Sequence, residues 1–237
     1  MRERTFVHIF CSPSYRAGTT TAARLFADYQ IVNQRAFRGF DTDPHDSAFA
    51  RYFPKQAQVV DLNSIQGQIA LFDTLLQPDR IPKIVDVWSR TWRQFSQLAL
   101  ETGFFEEARR RDVTPVIFYC AAPGAASLSE AQRIAEQWPQ VTLLVVNNEG
   151  AAPLGEHGLD LLAKYPAQRQ IEIRALDPLV RDIIDDPHFS FAQFLHQPPR
   201  ELSIVVRAGL RAWLTPVFQQ FQSFEMGIAL EDAQYFG

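Results

Sequence analysis

The residues best placed to do chemistry follow the first apolar run of the chain. That run, at 5–11, has the composition of a buried strand, and it leads through a short turn into Gly18-Thr19-Thr20-Thr21, where a helical pattern begins. A helix that starts beside a strand end presents unpaired backbone N–H groups, which attract anions. A hydroxyl in its first turn is a ligand for a divalent cation that accompanies a phosphate. The sequence therefore predicts a phosphate-binding turn at residues 12–18, called the phosphate turn below.

The phosphate turn departs from the pattern G-x-x-x-x-G-K-[ST] at two positions. Pro13 replaces the first glycine and Thr19 replaces the lysine, whereas Gly18 and Thr20 are retained. The lysine neutralises charge on a transferring phosphoryl group, so its loss predicts slow or absent hydrolysis. Backbone N–H groups and Mg²⁺ at Thr20 still favour an anion. Arg16 is either a replacement cation or a solvated loop side chain.

Two carboxylates close the second predicted strand, at 35–40, in the run Asp41-Thr42-Asp43-Pro44. Carboxylates at a strand end beside a phosphate site hold Mg²⁺ through water or orient an attacking water, and Asp43 is the candidate for that catalytic role. The alternative is an Asp-Pro turn whose carboxylates are solvated.

A third predicted strand, at 83–88, carries Asp86 within an apolar run. Burial of an unpaired charge is costly, so we expect this carboxylate to face a cation and to form part of a Mg²⁺ shell with Thr20. The alternative is an Asp that caps the loop leading to the helix at Thr91.

The order of elements predicts an α/β protein. Apolar runs at 5–11, 35–40, 57–61, 83–88, 113–119, 141–147 and 170–174 alternate with helical patterns. We therefore expect a three-layer α/β/α arrangement around a mostly parallel twisted sheet of about seven strands, like that of phosphate-loop NTPases, in a single domain spanning 1–237. The breaker-rich segment 148–157 follows a strand and predicts a mobile loop on the ligand side of the sheet.

Two helices have faces that the periodicity assigns. The helix after the phosphate turn is expected to turn Arg24 and Asp28 outward and to bury a broad apolar face formed by Ala22, Ala23, Leu25, Phe26 and Tyr29. An amphipathic helix is predicted at 200–230, with Pro216 bending or splitting it. Its apolar face fits packing on the sheet or on a protein partner better than a membrane anchor, because its basic content is modest.

Taken together, these motifs resemble the MinD/ParA group of deviant-Walker ATPases. That family writes its loop Lys-Gly-Gly-x-Gly-Lys-Thr-Thr, whereas this chain reads Ser14-Tyr15-Arg16-Ala17-Gly18-Thr19-Thr20-Thr21. Both family lysines are absent, at Ser14 and Thr19. The family run Asp-x-Asp-Pro is matched in full by Asp41-Thr42-Asp43-Pro44, and a later strand ends at Asn147, where the family has an adenine-contacting Asn.

The resemblance implies a degenerate ATP-binding switch or scaffold that acts in subcellular positioning or in plasmid or chromosome partitioning. ATP and Mg²⁺ are the implied ligands, and a nucleotide-stabilised homodimer is the implied assembly. Phosphate and base contacts fall on Arg16, Gly18, Thr19, Thr20, Thr21 and Asn147, with Thr20 and Asp86 at the metal. Two alternatives stay open: an interaction protein that has lost the nucleotide, and a phosphoryl-transfer or ligase-type enzyme on the same fold.

Composition limits the other classes of function. A net charge of -4 argues against a chain-wide nucleic-acid surface. No apolar run has the length of a membrane span, so a cytoplasmic protein is expected. The two cysteines, Cys11 and Cys120, are expected to be small buried side chains rather than a disulfide, and the five histidines show no spacing typical of a transition-metal site.

Overall fold

A single seven-stranded sheet forms the centre of the protein. The computed structural model describes residues 4–235, except for the side chains at 125, 157, 161 and 229–235. All six strand pairs are parallel, in the order β3-β2-β4-β1-β5-β6-β7. The strands are β1 (Thr5–Cys11), β2 (Arg38–Asp41), β3 (Ala57–Val59), β4 (Lys83–Asp86), β5 (Val113–Cys120), β6 (Thr142–Asn148) and β7 (Gln170–Ile173).

Helices cover both faces of this sheet, which confirms the predicted α/β fold class. Within 4–235 the helices are α1 (Thr19–Val32), α2 (Ala48–Tyr52), α3 (Ile65–Leu75), α4 (Trp92–Glu101), α5 (Phe104–Arg110), α6 (Ala125–Gln137), α7 (Glu156–Leu162), α8 (Pro178–Ile184), α9 (Phe191–His196) and α10 (Ile204–Tyr235), with a 3₁₀ turn at Ala167–Arg169. One apolar core lies between the sheet and α1, α2, α9 and α10, and a second lies beneath α3 to α6. None of the described helices is both long and apolar enough to cross a membrane.

Helix α1 is buried on its outer face as well as on the face toward the sheet. The prediction that Arg24 and Asp28 turn outward is wrong, because the segment from α8 to α9 covers them. The Arg24 guanidinium donates to the backbone carbonyls of Ile184 and Phe189, and the Asp28 carboxylate accepts from the Ser190 hydroxyl at 2.8 Å. These bonds pair both terminal nitrogens of the guanidinium and Asp28 Oδ1, whereas Arg24 Nε and Asp28 Oδ2 are buried without a hydrogen-bond partner among the described residues.

Helix α10 runs without interruption through Pro216, so this proline does not split the helix, and the alternative of a bend stays a prediction. Its apolar face packs against α1 and the sheet through Leu210, Leu214, Val217, Phe221 and Phe224. The Gln220 side chain donates to the Glu172 carbonyl at 3.0 Å and accepts from the Glu172 N–H at 2.7 Å. One glutamine thus occupies the outward backbone groups of Glu172 on the edge strand β7.

Candidate functional site

A cleft of about 630 Å³ lies along the carboxyl ends of the strands. Such volumes are typical of small-molecule sites, and this edge is where open α/β sheets bind ligands. The phosphate turn, the loops after β2, β4, β6 and β7, and one side chain of α10 line it. The lining includes Arg16, Gly18, Thr19, Thr20, Thr21, Asp41, Asp43, Asp46, Asp86, Trp88, Asn148, Arg174, Leu176, Arg181, Asp185 and Trp213.

The first turn of α1 opens into this cleft. Gly18 precedes the helix with φ +81°, a left-handed conformation, and its carbonyl accepts the first helical bond from Ala22 N at 3.0 Å. No side chain caps this end. The N–H groups of residues 19–21 therefore have no partner within the helix and are available to an anion. The Tyr15 ring is 68% exposed and leaves the cleft open.

The space around Gly18 leaves no room for a side chain. A Cβ at this position would lie 2.2 Å from Asn148 Nδ2 and 2.8 Å from Ala151 Cβ. The phosphate turn thus packs closely against the loop that follows β6, which only glycine permits.

Thr20 and Asp86 meet in the cleft as the sequence predicts. The Thr20 hydroxyl donates to Asp86 Oδ2 at 2.7 Å, and Asp86 is 4% exposed. Burial raises the pKa of Asp86 well above its ordinary value, and the neighbouring Asp41 charge raises it further, against the lowering effect of the Thr20 hydrogen bond. Burial likewise raises the pKa of Asp41. Burial and like charge thus disfavour the ionised forms of these carboxyl groups, and a cation bound beside them would offset both effects.

Mg²⁺ fits this donor set. In nucleotide sites Mg²⁺ binds one or two carboxylates or a hydroxyl and completes its shell with phosphate oxygens and water. The Thr20 hydroxyl and the Asp86 carboxylate supply these donors beside the open end of α1. Within the described part of the chain no group of three or more His, Cys, Asp or Glu side chains is arranged to hold a metal by itself. Mg²⁺ bound there would take its remaining ligands from water or from the oxygens of a bound molecule.

Asp43 lines the cleft and also forms the turn that the Asp-Pro alternative describes. Its Oδ1 accepts from the N–H groups of His45 at 2.9 Å and Asp46 at 3.2 Å. The neighbouring Asp41 caps α2 by accepting from Ala50 N at 3.1 Å, and it accepts from Asp43 N at 3.0 Å. These bonds fix the loop after β2 at the end of the cleft where Thr20 and Asp86 lie.

The residue at the lysine position contacts the sheet. Thr19 hydrogen-bonds the Cys120 thiol at the end of β5, and burial raises the pKa of that thiol. Cys120 and Cys11 belong to the cores on opposite faces of the sheet and are free thiols, as expected.

Among the described lining residues the cations are the guanidinium groups of Arg16, Arg174 and Arg181, and no lysine is present.

The structure places Arg16 in the lining, with φ +59° and an exposed side chain. Its guanidinium carbon lies 5.2 Å from the Tyr15 ring centroid, so the two side chains contact each other within the turn. Arg181 donates to the Gly150 carbonyl at 2.9 Å and so ties α8 to the loop after β6.

Asn147, the expected adenine contact, does not line this cleft. Side chains alternate along a strand, and Asn147 lines a separate hollow beneath α7. Its neighbour Asn148 lines the cleft, where Nδ2 lies 3.5 Å from the Gly18 carbonyl. Sequence reasoning also missed Arg174, Leu176 and Trp213, which come from the last third of the chain.

Solved structures with a similar fold include the following one. It is a nucleotide-binding protein from Archaeoglobus fulgidus, determined in complex with ADP and with Co, which superposes with a TM-score of 0.52 at 15% sequence identity. The match covers 83% of this chain and 93% of the archaeal chain. This likeness establishes the fold. No protein-family model matches the sequence, and no curated protein matches it significantly.

Proposed function

We propose that the protein is a MinD/ParA-like nucleotide-binding switch or scaffold that holds ATP with Mg²⁺ and hydrolyses it slowly or not at all. The observation that carries the proposal is the 2.7 Å hydrogen bond from Thr20 to Asp86 at the open end of α1. It pairs a hydroxyl of the helix start with a carboxylate of the adjacent strand, the arrangement that holds Mg²⁺ against a bound triphosphate. The ADP complex of the archaeal neighbour supports a nucleotide as the ligand.

In this proposal each cleft residue has a defined task. The N–H groups at 19–21 bind phosphate oxygens, and Thr20 with Asp86 binds Mg²⁺. Asp43 orients water at the metal end, and Asn148, in place of Asn147, lies on the nucleoside side. Thr19 supplies no charge to a transferring phosphoryl group, so the barrier to hydrolysis stays high.

Calorimetric titration with ATP and Mg²⁺ tests this function. We expect heat of binding from the wild type, and a dissociation constant about 10- to 100-fold weaker for Thr20→Ala because the metal loses a ligand. Thr20→Ser keeps the hydroxyl and serves as the matched control. Absence of heat and of any thermal shift at millimolar MgATP refutes nucleotide binding.

A second function, that of an interaction protein without nucleotide, is favoured by the charge of the cleft. Among the described residues five aspartates and three arginines line it, and no lysine is present to offset the excess of acidic side chains. Thr19→Lys separates the possibilities. Gain of ATPase activity supports a switch that has lost hydrolysis, loss of an existing activity supports a ligase-type enzyme, and no change in either binding or activity supports the interaction protein.

The biological role and the assembly belong to the same proposal. A switch of this type forms a nucleotide-stabilised homodimer that serves partitioning or subcellular positioning, because the ligand contacts the dimer better than the monomer. Light scattering with and without MgATP measures the mass of the particle. A mass that stays at 27.0 kDa under saturating MgATP contradicts the dimer.

A further inference from the structure

The cleft has two chemically different ends. Gly18 and Thr20 lie at the end of β1, beside Asp86 at the end of β4, and form a polar end that suits phosphate and Mg²⁺. Arg174 and Leu176 follow β7 at the other end. Three strand spacings separate β1 from β7, which is about 14 Å along the sheet. A ligand anchored by phosphate at the first end needs an elongated body to reach the second.

Trp213 forms a fixed wall at this second end. Its indole Nε1 donates to the Arg174 carbonyl at 2.7 Å, and its ring lies 5.9 Å from the Phe191 ring at an interplanar angle of 37°. The polar group of the indole is thus already satisfied, and the ring is held by packing. What Trp213 offers to the cleft is apolar aromatic surface, next to the side chain of Leu176. Aromatic surface of this kind is suited to stacking with a planar heterocycle.

We propose that Trp213, together with Leu176, forms the nucleobase subsite of the cleft, so that helix α10 contributes directly to nucleotide recognition. This inference rests on the proposed nucleotide-binding function. Trp213 is held by its hydrogen bond to Arg174 after β7, by its ring contact with Phe191 of α9, and by packing against the core on this face of the sheet. It is therefore held in position before a base arrives, which reduces the entropy lost on binding.

The distribution of tryptophans makes the proposal directly measurable. Trp88 lines the polar end, where its backbone N–H donates to the Thr42 hydroxyl at 2.9 Å. Trp92 and Trp138 are buried in the core on the other face of the sheet. Emission changes from the two cleft tryptophans therefore report separate ends of a bound ligand.

The experiment compares MgATP with inorganic tripolyphosphate and Mg²⁺, which carries the phosphates but no base. We expect Trp213→Ala to weaken MgATP binding by about 10- to 100-fold while the affinity for tripolyphosphate changes less than about twofold. Trp213→Phe keeps an aromatic ring, so its MgATP affinity should stay near the wild-type value. The same variant should lose the part of the emission change that MgATP, but not tripolyphosphate, produces in the wild type.

The outcomes separate this proposal from the function beneath it. Equal weakening of both ligands by Trp213→Ala, or unchanged MgATP binding, overturns the base subsite and leaves the phosphate site standing. Wild type that binds neither ligand overturns both proposals. If Trp213→Ala fails to fold, Trp213→Phe decides alone: an unchanged MgATP-specific emission change in that variant contradicts the subsite.

Discussion

Gly18→Ala is the substitution for which the structure gives the clearest expected cost. The left-handed φ of +81° costs a side-chain-bearing residue about 1–2 kcal/mol. The new Cβ would also lie 2.2 Å from Asn148 Nδ2, and relief of such crowding costs about 1–3 kcal/mol. Alanine also restricts the unfolded chain more than glycine does, which stabilises the folded state by about 0.4–1 kcal/mol and offsets part of this cost. The midpoints of these ranges give an expected loss of about 3 kcal/mol in the free energy of unfolding for Gly18→Ala.

Gly103→Ala is the matched control for this substitution. Gly103 precedes α5 with a φ of +61°, but the nearest atom to its Cβ position is Glu106 Oε2 at 3.8 Å. Alanine at this position therefore has the conformational strain without the crowding, and we expect the free energy of unfolding to fall by about 1 kcal/mol. Urea unfolding and thermal unfolding, both followed by circular dichroism, measure the free energy and the melting temperature of the two variants. The melting temperature should fall by about 5–15 °C for Gly18→Ala and by about 2–4 °C for the control.

A double variant isolates the crowding. Asn148→Ala removes Nδ2 at 2.2 Å and Cγ at 2.9 Å from the Gly18 Cβ position and leaves Ala151 Cβ at 2.8 Å. The Gly18→Ala/Asn148→Ala protein should therefore recover about 1 kcal/mol relative to the sum of the single losses. Equal losses in Gly18→Ala and Gly103→Ala, or strict additivity in the double variant, would refute the close approach of the phosphate turn to the loop after β6.

Three further substitutions test other parts of the molecule. The pKa of Asp86 is raised in the folded state, so its stabilising contribution is complete below the unfolded value of about 4 and is lost as pH rises through the folded pKa. Asp86→Asn keeps an acceptor for Thr20 and should raise the free energy of unfolding at pH 8 by on the order of 1–3 kcal/mol. Thermal melts from pH 4 to 8 should show a melting temperature that depends less on pH than that of the wild type. Arg24→Lys cannot match both carbonyl bonds of the guanidinium, and urea unfolding should show a loss of about 1–3 kcal/mol; an unchanged midpoint contradicts the buried role. Gln220→Ala uncovers the backbone of Glu172 and should cost about 1 kcal/mol while increasing concentration-dependent light scattering; scattering equal to that of the wild type argues that Gln220 does not protect this edge.

The sheet was predictable because its strands are buried on both faces. Parallel strands of this kind appear as short apolar runs between turn residues, and helices fill the intervals. Gly18, Thr20 and Asp86 were predictable for a related reason. Each stands at the end of an apolar run, and the parallel sheet brings those ends together at one edge.

The parts that the sequence did not predict depend on long-range packing. The outward face assigned to Arg24 and Asp28 assumed solvent beside α1, whereas residues about 160 positions later cover it. The choice between Asn147 and Asn148 depends on which way the last residue of β6 faces, and a shift of one residue reverses it. Trp213 carries no local signal because the helix containing it also packs as a core helix.

The capped edge at β7 limits how copies of this chain can join. The Gln220 side chain occupies the backbone positions of Glu172 that an incoming strand would need. The opposite border of the sheet ends in β3, a strand of three residues with Val59 partly in solvent. Addition of a strand from another chain is therefore hindered at β7, where Gln220 would have to leave Glu172, and is less hindered at β3, on the border away from the helix that holds Trp213.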